Sequence, residues 1–134
     1  MQARAEPLRI FLVEDNPTIR ESLIPAVEEL APARVVACAE GEDEARDWLV
    51  AHDGQWDLAV VDLFLAQGSG LGVLRHLRAR GPQRRAVVLS NYATPDMRRR
   101  CLEAGADAVF DKSNELEDFM AYCEAQANDV SARP

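Results

Sequence analysis

The chain has 134 residues, enough for one domain with a full apolar core and too few for a second of ordinary size. At 48% hydrophobic and 28% charged residues it can fold without disulfides. A net charge of −8 and a pI near 4.7 argue against broad electrostatic binding of nucleic acid. No apolar run approaches the roughly 20 residues of a membrane span, and MQARAEPLRI lacks a secretory leader's apolar stretch; a cytoplasmic protein with no membrane association is expected.

Five short apolar runs alternate with segments of helical period. Leu8–Val13 reads as a strand, followed by a helix over 17–30 with Ile19, Leu23, Val27 and Leu30 on one stripe. Asn16 suits its N-cap and Pro17 its first position, whereas Pro25 removes an amide donor and predicts a kink. A second strand spans 34–38 and a second helix 43–52, with Ala45, Trp48 and Leu49 inward. The third strand is 57–62, and the third helix runs from Gly70 to about Arg80, stopped by Gly81-Pro82. A fourth strand (86–90), a fourth helix (95–104), a fifth strand (106–110) and a helix from Asn114 complete the pattern. The last helix carries Leu116, Phe119, Met120, Cys123 and Ala127 on one face. Residues 8–127 form the expected domain, with 1–7 an N-terminal extension and 128–134 a frayed tail. Cys38, Cys101 and Cys123 each fall in an apolar pattern, so they read as small core residues in a reducing compartment. His52 and His76 lack evident partners in the sequence and receive no role.

Near-continuous apolar strands alternating with helices indicate an α/β fold, a doubly wound parallel sheet covered on both faces. Such folds build sites at the carboxyl ends of their strands. Those ends carry Glu14 and Asp15, Asp62, Ser90 and, just past the fifth strand, Lys112. Three converging carboxylates repel one another unless a hard cation joins them. Mg²⁺ takes one or two carboxylates, waters and phosphate oxygens, and a carboxylate nucleophile beside it could accept a phosphoryl group. Lys112 and Ser90 suit the phosphate oxygens. Taken singly, each residue has an ordinary reading: a helix-initiating acid, a strand-end acid, a solvated lysine, a serine bonded to backbone. Five in order at the right strand ends reverse that weighting.

These residues resemble the receiver domains of two-component response regulators. The resemblance rests on Glu14-Asp15 after an apolar strand, Asp62 after AVV, Gly70 eight residues on, Ser90 after AVVL, and Lys112 in VFDK. It implies a flavodoxin-like (βα)5 sheet of strand order 2-1-3-4-5. Asp62 is then the phosphoacceptor, and Mg²⁺ is held by Asp15, Asp62, the Phe64 backbone carbonyl and, through water, Glu14. Ser90 and Lys112 contact the phosphoryl group. A sensor histidine kinase or phosphotransfer protein is the implied donor, and a downstream protein rather than nucleic acid the implied target. The family's output surface surrounds the fourth helix, fifth strand and fifth helix, which makes Arg98, Arg99 and Arg100 a candidate partner face; otherwise such a run is a solvated face.

Several positions depart from the family pattern. Val109 stands at the usual switch aromatic, and Phe110 should point to the opposite face. Ala66 replaces a common proline, which implies a more mobile loop after Asp62; Ser113 replaces another after Lys112. Phe64 replaces a polar residue two positions past the acceptor, which bears on phosphate lifetime. Of the rival functions, a flavin carrier would need a Ser/Thr/Gly-rich phosphate loop where EDNPT stands, and an aspartate phosphohydrolase a second acid where Phe64 stands. A degenerate receiver, binding protein without taking phosphate, is the remaining alternative.

Overall fold

The computed structural model describes residues 7–30 and 32–132, so all but Pro7 of the expected N-terminal extension lies outside the described residues. The elements alternate as β1 (Leu8–Val13), α1 (Pro17–Leu30), β2 (Ala33–Ala39), α2 (Glu42–Ala51), β3 (Leu58–Val61), α3 (Gly70–Leu77), β4 (Arg85–Ser90), α4 (Pro95–Glu103), β5 (Ala108–Asp111) and α5 (Leu116–Ala132). The five strands form one parallel sheet in the order β2-β1-β3-β4-β5.

Strand alternation divides the apolar residues between two cores. Phe11, Val13, Val61 and Val88 face α2, α3 and α4, where they meet Ala45, Leu74 and Cys101. Ile10, Leu12, Val60 and Leu89 face α1 and α5, where they meet Leu23, Val27 and Phe119. Each large side chain so enclosed contributes about 2 kcal/mol. Trp48 stacks on Phe11 with ring centroids 4.3 Å apart, and Trp56 is buried in the same core. Cys101 and Cys123 are buried as expected, and burial pushes the Cys123 thiol up to about 12, which keeps it protonated and inert.

Element ends differ from expectation where side chains intervene. Helix α3 stops at Leu77, because the Arg80 guanidinium and the Arg80 amide both take the Leu77 carbonyl. Helix α5 starts at Leu116, since Asp111 Oδ1 first accepts the amides of Ser113 and Asn114 in a turn. It then runs past 127 to Ala132 rather than fraying, with Val130 packed against the α1–α5 core. Helix α1 continues through Pro25, whose position is exposed to solvent.

Register aligns the functional ends. Val13 pairs with Val61, Val61 with Val88, and Val88 with Val109. The residues that follow these four therefore emerge together at one edge of the sheet. Gly70 lets the start of α3 press on that edge, since a Cβ there would overlap the Asp62 carbonyl oxygen.

Candidate active site

Glu14, Asp15 and Asp62 each bring a carboxylate oxygen within 4.8 Å of the others. Glu14 is 2% exposed; its Oε1 accepts from Lys112 Nζ at 2.7 Å and its Oε2 from the Asn16 amide at 3.1 Å. Lys112 Nζ lies 3.6 Å from Asp62 Oδ2, so the lysine is closer to Glu14 than to Asp62.

Burial is the main cause of the perturbed acidity of Asp62. It raises the carboxyl from 3.8 to about 6, the charges of Glu14 and Asp15 push the same way, and Lys112 and the Leu63 amide pull down. Three carboxylates thus face one ammonium. That excess of buried negative charge, presented through oxygens, suits a hard divalent cation such as Mg²⁺.

Asp15 also makes a contact that the sequence did not reveal. Its Oδ2 accepts the Ala66 amide at 2.7 Å, which ties the loop after Asp62 back to the end of β1. A proline at 66 would have no hydrogen to donate, so alanine here fastens the loop where greater mobility was expected. Glu42, also unassigned from sequence, holds the same loop from the other side. Its Oε1 accepts the Ser69 amide at 3.1 Å, and its Oε2 lies 3.4 Å from His76 Nε2, so His76 does have a partner. Ser113 resembles Ala66 in this respect, since its amide donates to Asp111 Oδ1 at 2.7 Å where a proline could not.

Ser90 is wholly buried at the end of β4, and its Oγ accepts the Tyr92 amide at 3.1 Å. The hydroxyl therefore organises the loop it begins and keeps its own proton to donate. Phe64 is 56% exposed and its ring meets Tyr92 edge to face at 4.5 Å, a contact that joins the loops after Asp62 and Ser90. Val109 packs toward α4, whereas Phe110 turns to α5 and meets Phe119 and Tyr122, in accord with strand alternation.

The three arginines of α4 do not form one basic face. Arg98 reaches across the fold, donating to the carbonyls of Ala93 (2.9 Å) and Val109 (3.1 Å) and to Glu115 Oε1 (2.6 Å). Arg99 lies between Asp96 and Glu103 of its own helix, spaced three and four residues away. Only Arg100 has no ion pair among the described residues; its Nη1 touches the Met97 sulfur at 3.7 Å. No described helix is long and apolar enough to cross a membrane.

Comparison with known proteins agrees with this fold. Residues 10–124 match the family described as response regulator receiver domain. The response regulator MprA of Mycolicibacterium vanbaalenii is 34% identical over 119 residues, which cover 89% of this chain and 50% of that protein. A gliding motility regulatory protein of Myxococcus xanthus is 29% identical over 110 residues, 81% of this chain but 14% of its own length. The chain thus spans about half the length, or less, of such curated relatives. Among solved structures, a LuxR-family response regulator of Aurantimonas sp. superposes with a TM-score of 0.80 at 27% identity, covering 92% of this chain and 87% of that one. A Burkholderia pseudomallei response regulator, solved with a phosphorylated aspartic acid, a calcium ion and citrate, superposes with a TM-score of 0.73 at 26% identity, covering 93% and 71%. The chain belongs to the response regulator receiver domain family of two-component systems.

Proposed function

We propose that this domain is a signalling switch in which Asp62 accepts a phosphoryl group from the phosphohistidine of a sensor kinase or phosphotransfer protein. The observation that carries this reading is the cluster of Glu14, Asp15 and Asp62 with Lys112 beside it. Mg²⁺, held by Asp15, Asp62 and the Phe64 carbonyl and through water by Glu14, would neutralise phosphoryl oxygens during transfer.

The chain's own residues do the rest. An Asp62 carboxylate oxygen attacks phosphorus in line; the new O–P bond forms as the donor's N–P bond breaks, and that electron pair returns to the imidazole. The ammonium of Lys112 then exchanges Glu14 for a phosphoryl oxygen, and Ser90 turns its proton toward another. Movement of Ser90 alters the loop it organises through Tyr92, and Arg98 connects that loop to β5 and Glu115. A downstream protein reads the change on the face of α4, β5 and α5, with Arg100 the cation of the three available to it.

The test is intact-protein mass spectrometry after incubation with acetyl phosphate. One phosphate should be added in Mg²⁺, none in EDTA and none in Asp62→Asn. Failure of the wild type to take phosphate would favour a phosphorylation-independent binding module.

A further inference from the structure

The amino-terminal edge of the sheet, opposite to Asp62, carries a second concavity. Arg78, Arg80, Arg84 and Arg85 all line one cavity of about 230 Å³ between the end of α3 and the start of β4. Four guanidinium groups meet a single carboxylate there, Asp107, in a chain whose net charge is −8. The next acid along this edge, Asp57, is already held by Arg9, with oxygen–nitrogen distances of 2.9 to 3.1 Å.

Two of the arginines are fixed by the fold. Arg80 has a side chain only 12% exposed, and it donates to the carbonyls of Leu77, Arg84 and Gly105 and to Asp107 Oδ2 at 2.7 to 3.1 Å. Arg84 donates to the Trp56 carbonyl at 3.0 Å, and its guanidinium lies 5.8 Å from the Trp56 ring centre. The other two are free to adjust: Arg78 has no ion pair among the described residues, and Arg85 makes only a 3.7 Å approach to Asp107. Two glycines border the cavity beside these arginines. A Cβ on Gly81 would stand 3.3 Å from Arg84 Nη1, and one on Gly105 would stand 3.2 Å from Arg78 Cγ.

We propose that this cavity is a binding site for a compact diphosphate anion, such as the diphosphate group of a nucleotide. Guanidinium forks match phosphate oxygens in pairs: Arg78 and Arg85 can turn theirs to the anion, Arg84 is already held through its Nε, and Arg80, whose donors are mostly spent inside the fold, adds its charge. The excess of three positive charges calls for more than one orthophosphate. A small anion lies wholly within a Debye length of the arginines, about 8 Å at physiological salt, where the distant acids are screened. An extended nucleic acid would instead lay its further phosphates over acidic surface. The site is independent of phosphorylation at Asp62.

The test is a titration of the ¹⁵N-labelled chain with pyrophosphate in EDTA, followed by NMR. Saturable shifts are expected at the Gly81 and Gly105 amides, at least tenfold weaker binding in Arg78→Gln/Arg85→Gln, and weaker binding of orthophosphate. ADP should compete with pyrophosphate, and Asp62→Asn should bind as wild type does. Gly81→Asp, which places a carboxylate beside Arg84, should abolish binding even if the double variant proves unstable. Unmoved Gly81 and Gly105 amides, equal binding in both variants, or tighter binding of a glutamate-rich peptide or of single-stranded DNA than of pyrophosphate would overturn the proposal.

Discussion

Replacing Asp62 by asparagine removes a carboxylate that the folded chain holds at about 6, against an ordinary 3.8. The folded state therefore binds this proton more tightly than the unfolded state, and the contribution of Asp62 to stability is present below about pH 3.8 and lost as pH rises through about 6. A gap of about 2 pKa units at about 1.36 kcal/mol each sets a ceiling near 3 kcal/mol on what its ionisation costs at neutral pH. The Asp62 side chain keeps 12% of its surface exposed, and solvent screens part of this cost, so the expected gain is about 1 to 2 kcal/mol. The variant should thus be more stable than wild type at about pH 7.5 without metal, and the difference should narrow by about half at about pH 5. Mg²⁺ should reverse the order by stabilising only the wild type. Urea denaturation in EDTA at the two pH values, repeated with Mg²⁺, measures each of these. An asparagine variant no more stable than wild type at neutral pH without metal would refute the reasoning.

Asp15→Asn removes one of the three clustered charges and should weaken Mg²⁺ binding at least tenfold, as followed by tryptophan fluorescence or NMR; undiminished affinity would remove Asp15 from the site. Phe64→Asn supplies a hydrogen-bonding side chain for the water that hydrolyses the aspartyl phosphate. The phosphorylated form should then decay several-fold faster, the equivalent of about 1 kcal/mol, whereas equal or slower decay by mass spectrometry would show that Phe64 does not prolong the lifetime. Arg98→Gln breaks three hydrogen bonds that span the β4–α4 loop, β5 and Glu115, and should lower stability by about 2 kcal/mol in urea. Arg99→Gln, which loses only exposed pairs within α4, should stay within about 0.5 kcal/mol of wild type, and equal losses in the two variants would contradict this division of roles.

The amino-acid order alone was sufficient for the alternation of strands and helices. Apolar runs of period two and stripes of period 3.6 are local properties, and each was legible without knowing its neighbours. The convergence of Glu14, Asp15, Asp62, Ser90 and Lys112 was also legible, because a parallel sheet brings all its carboxyl ends to one edge. Val109 and Phe110 were assigned to opposite faces by strand geometry, and they pack so. What the tertiary structure decided were the partners of polar groups far apart in sequence. The bond from Ala66 to Asp15 joins residues 51 apart and turns a missing proline from a source of mobility into an anchor. The run Arg98–Arg100 reads as one basic patch, yet its members point in different directions round the helix; one is spent inside the fold, one is neutralised beside it, and one is left to solvent. Lys112 bonds Glu14 at 2.7 Å and stands 3.6 Å from Asp62, a geometry set by how the ends of β1, β3 and β5 meet, which no local pattern encodes.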